Sequence, residues 1–179
     1  MISEQAKQGL NYIFSKAVKA NLLVESTDVV EVAQLPEAKV ADVLGKEIVV
    51  LTISSYLFRL LTIFHVNADQ ATEGYFTKLQ PERAFHDVFG ELGNLCVGAM
   101  NRELGNHFLH LGMSTPYVLE SRSLPFLNEL KPGYVARHRI GINNEFSLHA
   151  TLCFCAYAPI DFRVDTSVVE EETGLIEMF

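Results

Sequence analysis

The chain has 179 residues, of which 49% are hydrophobic and 20% charged, so it is expected to form one globular domain with a sizeable core rather than a disordered chain. Its formal net charge of −8 disfavours nucleic acid and anionic membranes as partners, because both carry phosphate groups that would repel it. Three cysteines without paired spacing, and an N-terminus without the basic-then-apolar order of a signal peptide, indicate a cytoplasmic protein.

The N-terminal part of the chain predicts one helix and one strand. Ser3 has the character of an N-cap, and a helical apolar stripe follows it to about Ala20. The β-branched segment 28–35 predicts a strand that Pro36 ends. Residues 36–45 are expected to form a connector with room for one helical turn.

The most apolar window, residues 47–66, is long enough to span a membrane, but its composition favours a hairpin. Arg59 lies in the middle of the window, where a charge would be costly in lipid. Val, Ile and Thr are frequent, and these residues favour strands. Ser54, Ser55 and Tyr56 indicate a turn, so we predict strands at 48–54 and 57–66.

The second half of the chain predicts two helices followed by strands. A short helix is expected over residues 70–79, and a long central helix from Pro81 to about residue 110. Strands are expected at 116–121, 134–142 and 146–157, the last two joined by a turn at Asn143 and Asn144. These elements predict an α/β (α+β) domain over residues 1–161, with antiparallel strands and the central helix lying across them. Residues 162–179 contain a run of glutamates and are expected to form an acidic C-terminal tail.

The central helix has two faces of different character. Its predicted core face carries six apolar residues: Phe85, Phe89, Leu92, Cys96, Ala99 and Met100. Asp87, Glu91 and Asn94 lie on the other side at i, i+4 and i+7, and this polar stripe continues through Gly98, Asn101 and Gly105. A glycine costs an exposed helix about 1 kcal/mol relative to alanine. Glycines in the polar stripe therefore predict that a partner approaches the helix backbone.

The spacing of this stripe resembles the signature of the CheC/CheX family of chemotaxis phosphatases, which dephosphorylate receiver domains of the CheY type. The signature is an Asp or Ser, then Glu, then Asn, with one Gly before the Asn and another after it. The matching residues are Asp87, Glu91, Gly93, Asn94 and Gly98. The resemblance extends through Ser114-Thr115-Pro116 into the strand that follows. It implies the CheC/CheX-like fold, with an antiparallel sheet and an N-terminal helix packed on the central one.

The resemblance also implies roles for the polar residues. Glu91 would bind the active-site lysine of the receiver, and Asn94 would hold the attacking water in line, as a glutamine does in small GTPases. Asp87, Gly98 and Asn101 would assist docking of the partner. The carboxylates of the receiver would hold Mg²⁺, so the chain is expected to need no cofactor or metal of its own. In having a single copy of the motif, the chain is similar to the CheX branch, whose members pair as homodimers through their sheets.

Two partial copies of the motif are not interpreted as further sites: the first is a coincidence or, as the alternative, a decayed repeat, and the second is a bend or C-cap of the helix. Glu4, Gln8 and Asn11 have the required spacing, but Gln8 stands where the signature has Glu. The sequence Glu-Leu-Gly-Asn recurs at residues 103–106, but Ala99 stands where the acid is required. The sequence therefore predicts a single site.

Other chemistries are disfavoured by what their sites require. Asp87 and Glu91 could form a glycosidase acid pair, but no second cluster of acids or aromatic residues suggests a sugar cleft. His107 and His110 lack evident further ligands for a metal. Cys153 and Cys155 would share one face of a strand and are predicted to pack as small apolar residues.

Two functions of different classes remain from the sequence. The first is an active phosphatase for the phospho-aspartate of a CheY-like receiver in chemotaxis or another two-component pathway. The second is a non-catalytic adaptor of the same fold, which binds a receiver or belongs to a flagellar switch. The presence of both Glu91 and Asn94 favours the phosphatase, since a docking surface alone does not need an amide at that position.

Overall fold

The computed structural model describes residues 1–36 and 46–165. The described chain contains three helices, seven strands and one 3₁₀ segment, in the order α1 (Glu4–Asn21), β1 (Val30–Leu35), β2 (Glu47–Ser54), β3 (Phe58–Val66), α2 (Gln70–Phe76), α3 (Phe85–Gly105), β4 (Gly112–Met113), β5 (Tyr117–Glu120), the 3₁₀ segment (Ser121–Leu130), β6 (Tyr134–Ile142) and β7 (Phe146–Ala156). We call the 3₁₀ segment the cover segment. The predicted connector at 36–45 lies, apart from Pro36, outside the described residues.

The strands form one antiparallel sheet in the order β1-β6-β7-β3-β2-β4, with β5 also paired to β2. Both predicted hairpins are confirmed: β2 pairs with β3, and β6 pairs with β7. Asn143 and Asn144 connect β6 to β7 with φ angles of 52° and 57°. Two successive left-handed residues are what a type I′ hairpin turn requires, and asparagine accepts that conformation readily. The apolar window that resembled a membrane span is thus the hairpin of β2 and β3.

Alternation along the strands divides the sheet into two differently covered faces. One face packs against α1 and α3 around the rings of Phe14, Phe64 and Phe89, with centroids 6.5 Å apart for the first pair and 5.8 Å for the second. The other face is apolar over six buried residues: Ile48, Val50, Leu61, Ile63, Cys153 and Cys155. Leu124 and Leu127 of the cover segment pack against it. The molecule is therefore layered as helices, sheet and cover segment.

The central helix is shorter than predicted. It begins at Phe85 rather than near Pro81, because the preceding residues form turns and Ala84, the N-cap, has extended backbone with ψ of 139°. No side chain caps this end. At the other end the helix stops at Gly105, and His110 has a left-handed φ of 56°, which an α-helix cannot contain. The predicted range of about 81–110 was therefore too long at both ends.

Other boundaries moved by a few residues. The first strand begins at Val30 rather than residue 28, and α2 ends at Phe76 rather than residue 79. Thr77 forms the C-cap of α2, where its hydroxyl donates a hydrogen bond to the carbonyl of Glu73 at 2.7 Å. The sequence did not predict β4 or the cover segment. Among the described residues, no helix is both long and apolar enough to cross a membrane.

The beginning of the predicted acidic tail is packed against the domain. Phe162 is buried, and its ring contacts Phe108 with centroids 5.4 Å apart. A Cβ added to Gly9 of α1 would come within 3.0 Å of Phe162 and 3.1 Å of Val164. Residues 166–179 of the predicted tail lie outside the described residues.

Candidate functional site

Helix α3 brings Asp87, Glu91 and Asn94 together on its outer side. All three line a shallow cavity of about 350 Å³ between the first turns of α3 and strand β5. The remaining lining residues come from both sides of the cavity: Val49, Arg83, His86, Gly90, Pro116, Tyr117 and Val118. Pro116 is the proline of the Thr-Pro step identified in the sequence, so this step forms the wall opposite the helix.

Glu91 is held by an arginine that the sequence analysis did not anticipate. The guanidinium of Arg83 donates two hydrogen bonds to the Glu91 carboxylate, at 2.8 and 2.7 Å. This two-pronged geometry is the strongest form of a carboxylate pair. The Arg83 hydrogen bonds lower the pKa of Glu91 below its usual value, so the carboxylate is ionised at neutral pH. The side chain of Glu91 is nevertheless 62% exposed, and solvent competes for it.

Asp87 and Asn94 differ in how much the domain itself explains their presence. Asp87 is exposed in the first turn of α3, where a carboxylate is favourable beside the unpaired N–H groups of the helix end. Its presence therefore has a structural explanation. Asn94 is half-buried at the cavity edge, and its amide forms no side-chain hydrogen bond within the described part of the chain. The Asn94 amide is thus available to bind a partner or water.

The glycines of α3 fall into two groups. A Cβ on Gly93 would lie 3.3 Å from Leu51 and 3.6 Å from Phe64, and one on Gly90 would lie 3.4 Å from Pro116. Packing inside the domain therefore accounts for these two. A Cβ on Gly98 would meet only the guanidinium of Arg102, at 3.8 Å, among the residues described. Internal packing does not account for Gly98.

Several residues around the motif were missed by the sequence analysis. His86 contacts Glu47 of β2 at 2.7 Å, which ties the start of α3 to the sheet. Tyr117 and Val118 are exposed at 42% and 43%, and Leu95 of α3 is exposed at 55%. Leu95 lies one turn after Glu91, so a leucine beside the polar stripe could have indicated an apolar contact surface there. Arg83 precedes the helix, where helical spacing gives no signal.

The predicted docking residues Gly98 and Asn101 lie outside the cavity that contains Asp87, Glu91 and Asn94. Gly98 is half-buried, one turn beyond Asn94. Asn101 is also half-buried, and its side-chain oxygen is enclosed without a hydrogen-bond partner in the described chain. The structure therefore places these two residues further along α3, as a continuation of the stripe.

Residues of the partial motif copies form contacts inside the domain. Asn11 donates hydrogen bonds to the hydroxyl of Tyr134 at 2.8 Å and to Gln34 at 3.2 Å, which joins α1 to the sheet. Glu103 pairs with Lys16 at 3.1 Å and connects α3 to α1. In residues 1–36 and 46–165, no group of three or more His, Cys, Asp or Glu side chains could hold a metal ion.

The sequence matches no family model and no curated protein. Solved structures do match the fold. The chemotaxis protein CheX from Vibrio vulnificus superposes with a TM-score of 0.61 at 13% identity, over 82% of this chain and 99% of that one. CheX from Borrelia burgdorferi, in a complex with CheY, BeF₃ and Mg²⁺, gives 0.57 at 10% identity, over 83% and 96%.

A flagellar protein shares the same architecture. The middle domain of FliM from Vibrio alginolyticus superposes with a TM-score of 0.51 at 10% identity, over 85% of this chain and 94% of that one. At such identities the likeness concerns the arrangement of helices and strands and not the chemistry of the site. The chain has the CheC/CheX-type fold, an α+β domain with a single antiparallel sheet, as the motif on α3 predicted.

Proposed function

We propose that the protein is a cytoplasmic phosphatase that removes the phosphoryl group from the aspartate of a CheY-like receiver domain. The observation that supports this most is the placement of Glu91 and Asn94 on the accessible side of α3, at the edge of one cavity. The Borrelia burgdorferi neighbour was solved in a complex with CheY, which supports a receiver as the partner.

In the proposed mechanism Asn94 supplies geometry rather than a covalent step. The carboxamide accepts a hydrogen bond from water and donates one to a phosphoryl oxygen, which holds the water in line with the scissile bond. Phosphoryl transfer responds strongly to such positioning, because the protein has little covalent chemistry to perform. The amide of Asn94 is suited to this role because no side chain in the described part of the protein engages it.

Glu91 would bind the active-site lysine of the receiver. Because Glu91 is already paired with Arg83, this binding would require the existing ion pair to break. The Glu91 carboxylate leaves the Arg83 guanidinium and pairs with the lysine ammonium, so one ion pair replaces another. The receiver's own carboxylates would hold Mg²⁺, and Asp87, Gly98 and Asn101 would contact the docked receiver. The exposed side chains of Leu95 and Tyr117 supply apolar area beside this polar centre, as protein interfaces commonly do.

The proposed assembly is a homodimer built by pairing of edge strands. Strand β1 stands at one end of the sheet order, and β4 and β5 stand at the other. An edge strand presents backbone groups that a second strand can pair with. Light scattering at micromolar concentration should give twice the mass of one chain, and a stable monomer would remove this part of the proposal.

A second candidate is an adaptor that binds a receiver without catalysis. Two observations favour it: the FliM middle domain has the same fold, and Glu91 is already paired with Arg83. The two candidates make different predictions for the lifetime of the phosphorylated receiver. An adaptor leaves that lifetime unchanged or lengthens it, whereas a phosphatase shortens it.

The test is to incubate phosphorylated receivers from the same organism with the protein and to follow phosphate release and complex formation in parallel. A phosphatase accelerates release, and Glu91→Ala should reduce both the rate and the affinity. Glu103→Ala is the matched control, because Glu103 also lies on α3 and pairs with a cation, Lys16, but is remote from the cavity. Binding without acceleration would support the adaptor. Equal losses in both variants would show that Glu91 has no special role.

A further inference from the structure

A second, larger cavity lies on the other side of the sheet from α3. It has a volume of about 490 Å³, lies between the sheet and the cover segment, and is partly open to solvent. Leu124, Pro125 and Leu127 of the cover segment line it together with Val135 of β6. Cavities of this volume, with mostly apolar walls, are typical of small-molecule sites.

The floor of this cavity is polar, although its walls are apolar. His65, Arg137 and Thr151 lie on three neighbouring strands and all line the cavity. The ring Nε2 of His65 is 2.8 Å from the Thr151 hydroxyl. Nδ1 of the same ring is buried without a hydrogen-bond partner among the described residues, and His65 is only 5% exposed. Because Nδ1 is closed to solvent and Thr151 is buried as well, half-buried Arg137 is the one of these three side chains that a ligand in the cavity can contact.

Arg137 supplies a positive charge at the same floor. The residue is half-buried, and its guanidinium forms no side-chain hydrogen bond or ion pair with residues of the described chain. The pKa of His65 is lowered to about 4 by burial and then by the positive charges of His149 and Arg137, so the ring is neutral at pH 7. Arg137 therefore places a positive charge, unpaired among the described residues, at this cavity in a chain of net charge −8.

The cover segment is incompletely buried. All of its residues are exposed or half-buried, and Phe126 is 69% exposed. A smaller cavity of about 210 Å³ also lies between the cover segment and the sheet, above β2 and β3, and is again lined by Leu124 and Leu127. A 3₁₀ segment has poorer hydrogen-bond geometry than an α-helix, so small displacements of this element cost little.

We propose that the cavity binds a small organic carboxylate with an apolar body. Arg137 would pair with the carboxylate, since a guanidinium offers two parallel N–H groups to such a group. The leucine and proline side chains of the cover segment would enclose the apolar part. This inference is independent of the function proposed for α3.

The test uses naphthoate and naphthamide, which have nearly the same shape but differ in charge. Titration calorimetry on the full-length protein should show naphthoate binding at least tenfold more tightly than naphthamide. Arg137→Gln should reduce this difference to the small part that Arg122 contributes, because Arg122 also lines the cavity but is paired with Glu120. Arg139→Gln is the matched control: Arg139 has the same orientation two residues along β6, but it is exposed and donates a hydrogen bond to Ser147 instead of lining the cavity. Its variant should bind both probes as the wild type does.

A second variant protects the test against a folding defect in Arg137→Gln. Asn128 of the cover segment lines the cavity and is exposed to solvent. Asn128→Asp therefore adds a negative charge at the cavity without changing the size of the side chain. It should weaken naphthoate at least threefold and leave naphthamide unchanged. Equal binding of the two probes to the wild type would overturn the proposal, as would failure of both to bind at about 1 mM. Identical effects of Arg137→Gln and Arg139→Gln would also overturn it.

Discussion

Gly98 gives a prediction in which stability and partner binding move in opposite directions. The substitution is Gly98→Ala, in the middle of α3. The added methyl group would lie 3.8 Å from the guanidinium of Arg102, an ordinary contact, and the backbone of Gly98 does not have positive φ. The substitution therefore introduces neither a clash nor backbone strain.

The expected magnitude follows from helix propensity. Alanine is about 1 kcal/mol more favourable than glycine inside a helix, so Gly98→Ala should raise the free energy of unfolding by up to that amount. For a chain of this size, that corresponds to a Tm higher by about 2–4 °C. If a receiver approaches the helix backbone at Gly98, the same methyl group should weaken receiver binding at least tenfold.

Gly105→Ala is the matched control. A Cβ at Gly105 would meet nothing within 4 Å among the described residues, and this glycine lies at the end of α3, two turns beyond Gly98. Both variants should be compared by thermal unfolding and by titration with a phosphorylated receiver. Although Gly105 belongs to the polar stripe, it is the last residue of α3 and lies beyond the proposed docking residues Gly98 and Asn101, so Gly105→Ala should leave receiver affinity unchanged. If Gly98→Ala binds the receiver like the wild type, close approach is not the reason for this glycine.

Three further predictions concern the core and the ion pair. Burial lowers the pKa of both His65 and His138 to about 4 from an ordinary 6.5. The free energy of unfolding should therefore be steady above pH 6.5 and fall towards pH 4, with about 3 kcal/mol of the loss due to each histidine. His138→Phe should roughly halve this slope in urea unfolding. Gly93→Ala should lower the free energy of unfolding by about 1 kcal/mol in the same assay, because crowding against buried Leu51 outweighs the gain in helix propensity. Arg83→Gln should tighten receiver binding a few-fold by calorimetry, since Glu91 no longer has to leave an internal partner; weaker binding would instead assign Arg83 a direct contact.

Local sequence patterns predicted most of the fold because the relevant signals are short-range. The β2–β3 hairpin followed from β-branched composition and a turn, and the β6–β7 hairpin from two asparagines that accept left-handed φ. The boundaries of α3 were less accurate, since no capping side chain marks its start at Phe85. The cover segment was missed because Pro125 lies inside it, where a proline disfavours a helix, and because its apolar contacts with the sheet are long-range.

The candidate site was predicted in part for the same reason. Helical spacing placed Asp87, Glu91 and Asn94 together, and the structure brings all three to one cavity. Spacing could not reveal Arg83, which reaches Glu91 from a turn outside the helix. It also could not separate Gly93, which internal packing explains, from other glycines of the helix. That separation needs the positions of side chains on the sheet.

The most direct test of the central claim is the rate of phosphate release from a phosphorylated receiver at saturating protein, compared between wild type and Asn94→Ala. Saturation separates chemistry from binding, so the measured rate reports what Asn94 does in the complex. We predict that Asn94→Ala reduces this rate by about 10²–10³-fold while the receiver still binds, and that Asn94→Asp is at least as slow. The variants should remain folded because Asn94 lies at the surface cavity and not in the core. Release at the wild-type rate by Asn94→Ala would contradict the phosphatase mechanism.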